Sequence, residues 1–192
     1  MAGRTFKVGY IVGSLATKSI NRVLARALVR LAPPALQMFE IPIGDLPLYS
    51  YDYDPDYPPS GTALKEAFDK ADAVLLVTPE YNRSVPGCLK NAIDWASRPS
   101  GKNSFARMPS ATIGASTGAI GTAVAQQHLR GVLAHLNSPQ MNSPEAYIQM
   151  TSGLITEEGE VTRKSTEAFL RKFMTEFHRF VERVHWALPK DA

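Results

Sequence analysis

Short apolar runs rich in β-branched residues alternate along this chain with longer segments whose apolar positions recur every three to four residues, and one run, DAVLLVT at 72–78, has no polar face. A strand that is apolar on both faces must be covered on both faces, which is the situation of a parallel sheet flanked by helices. That single run therefore argues against a sheet with one face in water. It predicts an α/β protein with a three-layer sandwich architecture.

The remaining runs fit this frame. Strands are expected at KVGYIVG (7–13), ALQMFEIP (35–42), 72–78, PSATIGAS (109–116) and EAYIQM (145–150). Helices are expected at 21–32, 62–71, 85–97, 121–137 and 165–185, the first with Val23, Leu24, Ala27, Leu28 and Leu31 on one face. Strands separated by helices pair in parallel through right-handed crossovers. At 192 residues the chain is expected to form one domain over 1–192, large enough to bury about 70% of its unfolded surface. The stretch IGDLPLYSYDYDPDYPPSG (43–61) fits no element, and loops of such length are commonly functional or mobile.

Composition narrows the partners. Lys and Arg number 21 against 18 Asp and Glu, too small a surplus to imply nucleic acid. The one dense basic group, 163–183, is interleaved with acids at helical spacing and reads as a solvated helix face. The single cysteine, Cys88, excludes an internal disulfide and suits a reducing compartment. The first residues carry no signal-peptide pattern, and no run approaches the ~20 apolar residues of a membrane span. A cytoplasmic protein without membrane attachment is expected.

Ligands of an open parallel sheet bind beyond the carboxyl ends of its strands. Three loops leave those ends with unusual chemistry: GSLATKSIN (13–21), PEYNRS (79–84) and GASTGAIG (114–121). In the first, Ser14, Thr17 and Ser19 place hydroxyls at the amino end of a helix, where the dipole favours an anion. Ser19 also suits a plain N-cap, but capping explains only one of these polar residues. A Walker A loop is excluded because Thr17 stands where a glycine belongs before Lys18-Ser19, and G-x-G-x-x-G is absent here. A terminal monophosphate held by hydroxyls and amides fits. In the second loop Tyr81 offers a flat face and Asn82 paired donor and acceptor groups, which suits a planar, imide-bearing ring. In the third, Ser116, Thr117 and Gly118 either touch a ligand or serve only a tight strand-to-helix turn.

Other candidates lack their complements. The aspartates of DYDPD (52–56) are followed by Tyr57 and Ala63 where a calcium loop requires Gly and Glu. His128 and His135, like His178 and His185, stand seven apart without the partners a zinc site needs. Cys88 reads as a packed helix residue rather than a nucleophile. Neither a metal nor a catalytic side chain is expected.

With these residues in view, GSLATKSIN, TPEYNRSVPGCLKNAIDWASRP (78–99), GASTGAIG and DLPLY (45–49) together resemble the NAD(P)H-dependent FMN reductase family, the flavodoxin-like group that includes bacterial chromate and quinone reductases. The resemblance covers about residues 7 to 150, and the PEYN segment is its most specific part. It implies a flavodoxin-like five-stranded sheet of order 2-1-3-4-5, an FMN cofactor, NADPH or NADH as co-substrate, a small-molecule electron acceptor and a homodimer or homotetramer. It further implies that Ser14, Leu15, Ser19, Ile20 and Asn21 hold the FMN phosphate, that Pro79, Glu80, Tyr81, Asn82, Arg83 and Ser84 border the isoalloxazine ring, and that Ser116, Thr117 and Gly118 close the far side. Many members carry Arg after GSL where this chain has Ala16, so Lys18 or Arg22 is expected to supply the missing positive charge. The alternative from another class is an electron carrier without turnover, but carriers of this type are typically acidic and this chain is mildly basic.

Overall fold

The structure is a computed structural model that describes residues 4–188; residues 1–3 and 189–192, the ends of the expected domain, lie outside the described residues. The run that shaped the sequence reading forms strand β3, counted in chain order, over Ala73–Val77, and all five of its residues are fully buried. They divide between two cores. Ala73, Leu75 and Val77 pack with Leu24, Leu28, Phe173 and Phe177, while Val74 and Leu76 pack with Leu64, Leu89 and Leu129. Successive strand side chains leave opposite faces, so two apolar sets on one strand demand a helical layer on each side.

Those layers are present. The other strands are β1 (Phe6–Val12), β2 (Leu36–Glu40), β4 (Ser110–Ser116) and β5 (Tyr147–Gln149), and the sheet order is β2-β1-β3-β4-β5 with every neighbouring pair parallel. Helices α1 (Ile20–Leu31) and α5 (Lys164–Ala187) cover one face; α2 (Pro59–Asp69), α3 (Gly87–Ser97) and α4 (Ala123–His135) cover the other. From β1 the chain goes outward to β2 and then returns to lay β3 on the other side of β1. The strand order therefore reverses at β1, and its carboxyl end opens a crevice toward β3 and β4.

Among the boundaries that differ from expectation, two have a plain physical reason. Helix α2 begins at Pro59, three residues before the expected start at 62, because a proline at the first helical position has its φ preset and lacks only an N–H that would have gone unpaired. Strand β5 keeps three residues of the expected six, since its ladder reaches only Gly114 to Ser116 on its single neighbour.

The segment 43–61 is a packed strap across α3. Its 3-10 turn Tyr51–Tyr53 lies between aromatic anchors: Tyr49, Tyr53 and Tyr57 set their rings 5.1–5.2 Å from that of Trp95. Trp95 is fully buried and donates its indole N–H to the Pro47 carbonyl at 2.8 Å. Asn91 accepts from the Tyr49 N–H at 2.8 Å and donates to Pro47 at 2.9 Å, and Arg98 pairs with Asp54 at 2.7 Å. Within the segment Tyr49 donates to Asp54 and Ser50 to Asp52, so a stretch that reads as loop is held against α3.

Candidate active site

At the carboxyl ends of β1, β3 and β4 the three loops meet around a hollow of about 250 Å³, which Ser14, Lys18 and Ser19 line from the first, Glu80 and Tyr81 from the second, and Ser116 from the third. A second hollow of about 490 Å³ adjoins it, sharing Glu80 and Ser116 and bordered also by Asn82, Arg83 and Gly118. The backbone approaches closely here. A Cβ on Gly114 would run into the Thr78 carbonyl, and one on Gly13 would lie 2.9 Å from Leu89.

The first loop ends in a helix amino terminus open to the hollow. Ser19 is the N-cap of α1 and accepts from the Arg22 N–H at 3.4 Å. The Ser14 hydroxyl accepts from the Ala16 N–H at 3.4 Å and lies 3.5 Å from the Tyr81 hydroxyl. Contacts this long are weak, so both hydroxyls keep capacity for a ligand. The N–H groups of Ile20 and Asn21, the first two of the helix, have no acceptor among the described residues. The first turn of α1 holds no acidic residue, and Lys18 is the one cation lining this hollow. Such a donor set fits a phosphate monoester.

The side chain of Asn21 has a different task. It is 1% exposed, its amide donates to the Ala115 carbonyl at 2.9 Å, and its carbonyl accepts from the Ala115 N–H at 2.8 Å. Asn21 is thus a strap between α1 and the end of β4, and it is its backbone N–H that stays unclaimed at the hollow. Leu15 stands 58% exposed, beside a further hollow next to β2 that shares Ser14 with the first. Arg22 lies there too, engaged with both Glu40 carboxylate oxygens at 2.7 and 3.0 Å. Of the two cations expected to offset Ala16, only Lys18 lines the first hollow.

The second loop is a hairpin in miniature. Tyr81 and Ser84 exchange backbone hydrogen bonds at 3.0 and 3.1 Å, and the residues between them, Asn82 and Arg83, have φ of 51° and 60°. Positive φ at both central positions is the signature of a type I′ turn. Asparagine tolerates it; an arginine there costs about 1–2 kcal/mol relative to its right-handed conformation. The half-exposed Tyr81 ring is held at the rim.

Glu80 and Ser84 tie this turn to α4. One Glu80 oxygen accepts the N–H groups of Val124 and Ala125 at 3.0 and 3.1 Å, and the other accepts from Arg83 at 3.1 Å. The Ser84 hydroxyl is 3.0 Å from His128 Nδ1. In the third loop the Ser116 hydroxyl accepts from the Gly118 N–H at 3.2 Å, and Thr117 accepts through its carbonyl from Gln149 at 3.4 Å. His128 and the strap role of Asn21 escaped sequence reading, because both depend on partners 44 and 94 residues away. Cys88 is half-buried against the core on the α3 side, and burial pushes its thiol up, away from the thiolate that a nucleophile requires.

Comparison with known proteins bears on this arrangement. The family model for NADPH-dependent FMN reductase matches residues 6–152. A 2-hydroxy-1,4-benzoquinone reductase from a Burkholderia species is 49% identical, the match covering 91% of this chain and 96% of that protein. A quinone reductase from Pseudomonas putida is 44% identical over 93% of this chain and 96% of its own length. The solved flavoenzyme NAD(P)H:(acceptor) oxidoreductase FerB from Paracoccus denitrificans superposes with a TM-score of 0.90 at 44% identity, covering 93% of this chain and 98% of that one.

Proposed function

The chain belongs to the NADPH-dependent FMN reductase family, and we propose that it is an FMN-dependent oxidoreductase that takes two electrons from NADPH or NADH and delivers them to a quinone or a similar small acceptor. The observation that carries the proposal is one of juxtaposition. An anion-ready helix terminus and a rigid turn bearing a flat aromatic residue face the same hollow, so a phosphate and a planar ring on one ligand can be held together.

FMN, when bound, supplies the hydride-accepting and electron-donating ring, chemistry that no side chain here needs to perform. The residues of this chain hold and orient it. The backbone N–H groups of Ile20 and Asn21, the hydroxyls of Ser14 and Ser19 and the Lys18 ammonium would hold the phosphate. Tyr81, Asn82 and the Pro79–Ser84 backbone would border the ring, with Ser116, Thr117 and Gly118 opposite. The adjoining hollow beside Arg83 and Gly118 gives room for donor and acceptor to occupy the site in turn. We also place the enzyme in the cytoplasm as a homodimer or homotetramer; among the described residues no helix is long and apolar enough to cross a membrane.

The test is spectroscopic. Purified protein reconstituted with FMN should show visible flavin bands that bleach when NADPH is added anaerobically and return when a quinone follows. Bands that form and ignore both NADPH and NADH would mark a flavin-binding carrier instead. A protein that takes up no FMN would refute the assignment of the hollow.

A further inference from the structure

Glu80 lines the hollow, and its resemblance-based role is to border the flavin. Its surroundings assign it other work. The side chain is 7% exposed and both oxygens are engaged, one by two backbone N–H groups of α4 and the other by Arg83. Helix α4 makes no cap of its own with the Thr122 side chain. Its amino terminus is closed instead by a carboxylate from the loop after β3, 44 and 45 residues earlier in the chain. One helical turn further on, His128 meets the Ser84 hydroxyl at 3.0 Å. The type I′ turn is therefore fastened to α4 just before it begins and again where it closes.

We propose that Glu80 is a positioning residue, acting with the Ser84–His128 pair to fix the 81–84 turn against α4 and so to set the distance between the two walls of the ring-binding hollow. The inference rests on the FMN reading of that hollow. The role is one of shape: the carboxylate is occupied by backbone and by Arg83, and reaches the cofactor only through the turn it holds. Geometry at this turn governs how donor and acceptor lie on the ring, and misplacement of reacting groups by about 1 Å can cost about 100-fold in rate.

The experiment uses the FMN-loaded full chain with NADPH and a benzoquinone, comparing the native protein with Glu80→Ala, Glu80→Asp, Glu80→Gln and His128→Ala. Measured are FMN Kd, the visible circular dichroism of the bound flavin, kcat and KM. Glu80→Ala and Glu80→Asp, which cannot span to α4, should lose about 10- to 100-fold in kcat/KM and alter the flavin dichroism, while FMN Kd moves less than about threefold because the phosphate end is untouched. Glu80→Gln keeps an acceptor for the Val124 and Ala125 N–H groups and should lose only severalfold. His128→Ala removes an exposed side chain and should change dichroism and kcat/KM in the same direction by less; with Glu80→Asp it decides the matter if Glu80→Ala fails to fold. Native dichroism and kcat/KM in Glu80→Ala, or in both Glu80→Asp and His128→Ala, would overturn the proposal. So would a Glu80→Gln variant as damaged as Glu80→Asp, which would mean that the charge itself acts on the reaction. If the native chain fails to bind FMN, the reading of the hollow falls first and this inference with it.

Discussion

Replacing Asn21 by alanine removes the strap between α1 and β4 and tests whether the cup is built by the protein or by its ligand. The side chain makes two hydrogen bonds of 2.8 and 2.9 Å to the two backbone groups of Ala115, a residue 1% exposed. Alanine leaves one N–H and one C=O without partners, at about 1–3 kcal/mol each, or about 2–6 kcal/mol together. Part of this is offset because the buried amide of Asn21 no longer has to be stripped of water, which brings the expected loss to about 3 kcal/mol. Against a usual total of about 5–15 kcal/mol this is a large fraction. Urea unfolding of the FMN-free protein, followed by far-ultraviolet circular dichroism, measures it directly. The FMN-free state matters, since an Asn21 side chain that served only the phosphate would change nothing there. A loss below about 1 kcal/mol in that state would show that water entering from the hollow satisfies Ala115, and the strap reading would be refuted.

Three further outcomes follow from the same contacts. Trp95→Ala removes the fully buried indole on which Tyr49, Tyr53 and Tyr57 converge; it should cost about 3–5 kcal/mol by urea unfolding and expose 43–61 to limited proteolysis, and a stable, resistant variant would contradict the packed-strap description. Burial pushes the Tyr57 phenol from 10.0 up to about 12, so the neutral form is favoured in the fold; its contribution is complete below pH 10 and is lost as pH rises through the window from 10 to 12, hence the urea midpoint should fall between about pH 9 and about pH 11.5, less steeply in Tyr57→Phe. Cys88→Ser should leave quinone turnover within about twofold of native, because the half-buried thiol is pushed up by burial, away from the thiolate; abolished turnover with FMN retained would make it a participant.

The parts of the fold legible in the sequence were those fixed by local periodicity. The double-faced apolar run became a central strand with a core on each side, and the 3.6-residue spacing of Leu24, Leu28 and Leu31 placed α1. What stayed hidden depends on distant partners. Nothing around Trp95 announces that three tyrosines from 49–57 will surround it, and nothing near Glu80 announces Val124 and Ala125. The three loops could be brought to one edge from sequence because strand ends in a parallel sheet share a side. The division of labour within them could not, since Asn21 and Glu80 present the same polar groups whether they face a ligand or the backbone.

The two helix termini at the hollow are electrically unequal. That of α4 is quenched by the Glu80 carboxylate, whereas that of α1 has no acidic neighbour in its first turn and leaves two N–H groups unclaimed. The first hollow thus resembles a keyed socket whose unneutralised helix terminus is that of α1. A long ligand charged at one end only would have one favourable way round, its anionic end toward α1.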